Sequence, residues 1–95
     1  MQDDRTLLVF FTSQRSGPAR RMESLLAHIA RKEREHLAVK KVDVDEWPDL
    51  AARFRVGVAP ALVLVRDSRV VARLDGRVTS PRIEEMLDSH LRVPA

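Results

Sequence analysis

Hydrophobic and polar positions alternate along the chain with two different repeats. Residues 6–12 (TLLVFFT) form an unbroken apolar run rich in β-forming residues, which is typical of a central strand buried on both faces. Pro18 suits the first turn of a following helix, and Ser16 is placed to cap it. The apolar positions of that helix repeat every three to four residues and share one face: Met22, Leu25, Leu26, Ile29 and Ala30. We expect this helix to end between residues 34 and 36.

The later segments predict alternating strands and helices. In order they are a strand, a short helix, a loop, the two strands of a hairpin and a final helix: 37–44, 48–54, 56–60, 61–65, 69–74 and a helix from Ser80 onwards. A βαβ crossover is right-handed and pairs its strands in parallel, whereas a hairpin is antiparallel. The order β-α-β-α-β-β-α therefore predicts an α/β fold. Residues 1–95 would form a single domain, a mixed four-stranded sheet flanked by three helices on both faces.

Composition narrows the class of protein. The 95 residues are 44% hydrophobic and 33% charged, which indicates a globular chain. No apolar stretch approaches the roughly 20 residues that span a bilayer. The first five residues are polar, without the basic and apolar regions of a signal peptide. We therefore expect a cytoplasmic protein with no membrane partner.

Residue types limit the chemistry further. The sequence has no cysteine, which removes disulfides, thiolate nucleophiles and thiolate metal ligands together. His28, His36 and His90 lie far apart without ligand spacing, so no metal and no cofactor are expected. The net charge of +3 is carried by basic residues interleaved with acidic ones, and aromatic residues make up only 4%. Because a stacking platform is missing, no nucleic-acid partner is expected.

Two short motifs lie in the predicted order of elements at the positions they have in a known protein family. Residues 15–20 (RSGPAR) follow the first strand and lie where the family has Trp-Cys-Gly-Pro-Cys-Lys/Arg. Residues 58–61 (VAPA) precede the third strand, as does the family's cis-proline loop. The strand ending at residues 42–45 and the late glycine, Gly76, also match. The chain thus resembles the thioredoxin family from Leu7 to Leu91, and the resemblance implies a compact thioredoxin fold.

The departures from the family pattern bear on activity. Ser16 and Ala19 occupy the two cysteine positions, so the resemblance assigns them as degenerate redox positions and leaves no catalytic residue. Phe10 falls where the family has a buried acid, and Arg15 falls on its tryptophan. Family chemistry needs a stabilised thiolate and a second thiol to resolve the mixed disulfide. These 95 residues therefore cannot carry out thiol–disulfide exchange.

The resemblance implies that binding could remain. In the family the residue before the cis-proline offers its backbone to an extended peptide, and this role falls on Ala59, with Pro60 as the cis-proline. We expect a peptide or protein partner at this face. The expected binding residues are Arg15, Ser16, Gly17, Pro18, Ala59 and Pro60.

Several alternatives stay open at the level of sequence. The chain could be a small thioredoxin-type disulfide reductase whose two cysteines have been replaced, naturally or by engineering, so its status as an enzyme is uncertain. Arg15, Arg20 and Arg21 either provide solubility or favour an anion at the helix N-terminus. Trp47 either packs on the adjacent helix, the commoner role, or is an exposed contact.

Overall fold

The elements of the fold follow the predicted order. A computed structural model describes residues 5–91 of the chain. Its elements are β1 Thr6–Thr12, α1 Gly17–Lys32, β2 Leu37–Asp43, α2 Pro48–Arg53, β3 Ala61–Arg66, β4 Arg69–Asp75 and α3 Ser80–Leu91.

The strands form one mixed sheet in the order β2-β1-β3-β4. β1 runs parallel to β2 and antiparallel to β3, and β3 runs antiparallel to β4. The apolar run of β1 is thus central in the sheet, as its composition predicts.

Two hydrophobic clusters cover the two faces of the sheet. Successive side chains of a strand point to opposite faces, so β1 contributes to both clusters. Leu8 and Phe10 pack in the cluster that contains residues of α1 and α3, among them the buried Met22 and Met86. The second cluster lies on the side of α2: Val9, Phe11, Ala51, Val56, Ala61 and Val63. The mixed four-stranded sheet with helices on both faces is confirmed.

Helix α1 is shorter than predicted. It ends at Lys32, with Glu33 as its C-cap, rather than between residues 34 and 36. The carbonyl of Glu33 accepts hydrogen bonds from the N–H of His36 at 3.0 Å and of Leu37 at 2.8 Å, which turns the chain back into β2. The charged residues after Lys32 add no apolar position to the buried stripe, and these two hydrogen bonds set the residue at which the helix ends.

The hairpin turn between β3 and β4 consists of two residues rather than the predicted three. Asp67 and Ser68 both have positive φ, 52° and 64°, which matches the right-handed twist of the flanking strands. β3 consequently continues to Arg66.

No helix in the described part of the chain is long and apolar enough to cross a membrane.

Candidate functional site at the start of α1

Ser16 is the N-cap of α1, as the sequence predicts. Its hydroxyl accepts a hydrogen bond from the Ala19 N–H at 3.1 Å, and its carbonyl accepts one from the Arg20 N–H at 3.1 Å. Pro18 lies in the first turn, where its missing N–H costs no helical hydrogen bond. Local sequence therefore specifies the start of the helix.

The same serine joins the turn to the loop before β3. The Ser16 hydroxyl donates to the Ala59 carbonyl at 3.4 Å, a long contact between residues 43 positions apart. The peptide bond between Ala59 and Pro60 is cis. The two short motifs of the sequence thus lie together at one end of the sheet.

The predicted site residues differ in accessibility. Arg15, Gly17 and Pro18 are exposed, and Ser16 and Ala59 are half-buried. Pro60 is buried. The outer side of the turn is therefore accessible and Ala59 is partly so, whereas Pro60 is enclosed by the surrounding structure.

Apolar side chains fill the space behind the turn. Ala19 is 0% exposed, and Phe10 is 1% exposed within the cluster beneath α1. Neither side chain can donate or accept a proton. The turn consequently has no acid or base behind it at these two positions.

Ser13 fixes the turn, a role that the sequence analysis did not assign. Its hydroxyl donates to Asp45 Oδ2 at 2.6 Å and accepts from the Arg15 N–H at 3.1 Å. Its carbonyl accepts from the Ser16 N–H at 3.0 Å. A serine at the end of a strand that bonds to the backbone two residues later is a known turn signal, so half of this role was readable from the sequence. The Asp45 partner was not.

Arg73 on β4 holds the segment that leads into the loop. Its guanidinium donates to the Phe54 carbonyl at 3.0 Å and to the Arg55 carbonyl at 3.2 Å. It also pairs with Asp75 at 2.8 Å. The hydrogen bond and charge of Asp75 raise the pKa of Arg73 above its usual value. Arg73 therefore stays charged and positions the end of α2 before Val56 enters the core.

Two large hydrophobic side chains are exposed at this end of the sheet. Val58 in the loop is 79% exposed, and Trp47 before α2 is 60% exposed. Trp47 is thus an exposed side chain, and it is not among the residues packed in either hydrophobic cluster. Val58 was missed, because an isolated valine in a loop carries no sequence signal.

Positive charge surrounds the N-terminus of α1. Arg15, Arg20 and Arg21 are all exposed, and the first turn of the helix contains no acidic residue. The Arg21 guanidinium lies 3.7 Å from the position that a Cβ on Gly17 would take. Residues 5–91 contain no group of three or more metal-ligating side chains placed to hold a metal ion.

Comparison with known proteins places the chain among thioredoxins. A sequence model of the thioredoxin family matches residues 1–89. Thioredoxin-1 of Drosophila yakuba is 34% identical over 74 residues, which cover 78% of this chain and 69% of that protein. Chloroplastic thioredoxin Y2 of Arabidopsis thaliana is 26% identical over 90 residues, covering 95% of this chain but only 54% of that protein.

Solved structures agree with the sequence comparison. The germline-specific thioredoxin Deadhead of Drosophila melanogaster superposes with a TM-score of 0.87 at 30% identity, covering 93% of this chain and 83% of that one. A thioredoxin variant from Halobacterium salinarum gives a TM-score of 0.88 at 28% identity, covering 98% and 80%.

The chain therefore belongs to the thioredoxin family. It has the family's fold, but Ser16 and Ala19 replace the two cysteines of the active-site turn, and the 95 residues contain no other cysteine.

Proposed function

We propose that this chain is a redox-inactive thioredoxin-family domain that holds a peptide or protein partner at the former active-site face. This face consists of the turn at Ser16–Ala19 and the loop at Ala59–Pro60. A partner in an extended conformation would pair with the loop backbone, a mode of recognition that needs no thiol.

The observation that carries the proposal is the unused hydrogen-bonding capacity of the loop. Within the described residues, no hydrogen bond uses the backbone N–H of Ala59, and its carbonyl accepts only the long contact from Ser16. Val58 beside it is 79% exposed and offers an apolar contact. A backbone donor next to an exposed apolar side chain fits an added peptide strand, because main-chain bonds give affinity and side-chain contacts give selectivity.

An array of 12-residue peptides tests the proposal. The native chain, Val58→Glu and Pro60→Ala would be compared on the same array, with Pro81→Ala at the start of α3 as the matched proline control. We expect Val58→Glu and Pro60→Ala to lose the peptides that the native chain and Pro81→Ala retain. Retention of those peptides by both loop variants would refute binding at this face.

The cytoplasmic location expected from the sequence stays a prediction, and two relatives are named as chloroplastic.

A further inference from the structure

A polar cleft of about 590 Å³ lies beside the turn, away from the Ala59 loop. Its walls come from the end of β1, the first turns of α1, the end of β2 and the residues before α2. Its volume falls within the roughly 300–1,000 Å³ of ordinary small-ligand sites. The sequence analysis considered Arg20 and Trp47 separately but predicted no cleft here.

Thr12 in the wall of the cleft has an unused polar group. The residue is only 5% exposed, and its hydroxyl oxygen has no hydrogen-bond partner. Buried polar side chains are nearly always paired, so the Thr12 hydroxyl is an unused hydrogen-bonding group in a residue that lines the cleft. This observation is independent of the charges around the cleft.

The charge of the lining favours a cation. Lys41 pairs with Glu23 at 3.3 Å, so these two opposite charges are placed together. The remaining charged lining residues are Arg20 on one side and the carboxylates of Asp43 and Glu46 on the other. The lining thus carries three carboxylates against two cationic side chains, an excess of one.

Trp47 supplies an aromatic surface at the same place. It lines the cleft, is 60% exposed, and is the single tryptophan of the chain. A cation over the face of an indole ring is attracted by the ring electrons, and tryptophan is the best of the aromatic residues for this interaction. Carboxylates beside an exposed indole therefore point to a basic side chain as the ligand.

We propose that this cleft binds the side chain of an arginine or lysine of the partner peptide. The inference rests on the proposed function, and it names a specificity for the partner. The cleft and the loop adjoin the same turn, since Ser13 lines the cleft and Ser16 contacts Ala59. The Cα atoms of residues 13 and 16 are three peptide units apart, so at most about 11 Å separates them. Three or four residues of an extended partner peptide cover that distance.

Single amino-acid probes test the cleft without the rest of the peptide. N-acetyl-arginine-N-methylamide and its lysine, glutamine and glutamate analogues would be titrated at low salt, with Trp47 fluorescence and its indole N–H resonance as readouts. We expect saturable changes with the arginine and lysine probes, weakened by 0.5 M salt because the charges are exposed. No response to the arginine probe, or an equal response to the glutamine probe, would overturn the inference.

Variants that remove charge test whether the arginine probe binds at the carboxylates of the cleft. Asp43→Asn combined with Glu46→Gln keeps the side-chain shapes, and we expect it to weaken binding of the arginine probe roughly fivefold, because ion pairs near the surface each contribute little. Asp67→Asn in the turn between β3 and β4 is the matched control and should leave binding unchanged. Equal weakening by Asp67→Asn would show a general charge effect and refute the cleft.

The peptide array separates this inference from the proposed function. If peptide binding depends on Pro60 but replacing each arginine or lysine of the peptides by glutamine changes nothing, the cleft proposal fails and the proposed function stands. If the arginine probe binds the native chain and Pro60→Ala equally while no peptide binds, the cleft stands and the proposed function fails.

Discussion

The turn at residues 13–19 and the loop at residues 57–59 meet at one site, but they use their polar groups differently. In the turn, both serine hydroxyls are engaged, Ser13 with Asp45 and Ser16 with Ala19 and Ala59. In the loop, no hydrogen bond among the described residues uses an N–H of Gly57, Val58 or Ala59. The polar side chains of the turn are thus engaged in holding the structure, whereas the backbone N–H groups of the loop have no partner among the described residues.

The largest expected effect comes from restoring the two cysteines of the turn. We expect the Ser16→Cys/Ala19→Cys double variant to form a disulfide on oxidation, because the helix N-terminus stabilises a thiolate at position 16. Turnover in a disulfide-reduction assay with a dithiol reductant should nevertheless be poor, since buried Phe10 supplies no proton acceptor. Rapid turnover would instead support the alternative that this chain is a disulfide reductase in which only the two cysteines have been replaced.

Removing the Ser13 hydroxyl should have the largest effect on stability at the turn. Ser13→Ala removes the bonds to Asp45 and to the Arg15 N–H, and we expect a loss of about 2 kcal/mol, since hydrogen bonds to charged groups contribute about 1.5–3 kcal/mol. Urea unfolding of native and variant chains measures it. Ser24→Ala on the exposed side of α1 is the control. An equal loss of stability in that variant would refute the claim that the Ser13 hydrogen bonds stabilise the turn.

Loss of the helix cap should be smaller. Ser16→Ala removes the acceptor for the Ala19 N–H, and N-cap loss typically costs about 1 kcal/mol. Ser16→Asn supplies another good cap and should recover most of that stability. If Ser16→Ala is as stable as the native chain under the same urea unfolding, the serine is not retained for structure.

Substitution of Val58 in the loop should have the smallest effect on stability, in contrast to the two serines of the turn. Its side chain is 79% exposed, so Val58→Glu should change the free energy of unfolding by less than about 0.5 kcal/mol. The same variant should lose peptide binding. Thermal unfolding with the peptide array checks both, and a clear loss of stability would show that the loop is a structural element too.

Much of the fold could be predicted because it depends on local periodicity. The residues of β1 form a central strand since an apolar run suits burial on both faces, and the stripe from Met22 to Ile29 could only be one face of a helix. The ends of the helices and strands were harder to predict. The end of α1 at Lys32 depends on the Glu33 carbonyl bonding to His36 and Leu37, which no periodicity encodes.

The family fold, the Ser16 cap and the absence of thiols in these 95 residues could be read from the sequence, because each depends on residue type or on neighbours a few positions apart. Three features could be seen only in the tertiary structure. Ser13 bonds to Asp45, 32 positions away, and Trp47 is exposed. Thr12 lines a cleft together with Asp43 and Glu46. These features arise where β1, β2 and α1 converge. Contacts between distant segments follow from strand order and register, which are set by the packing of the whole sheet.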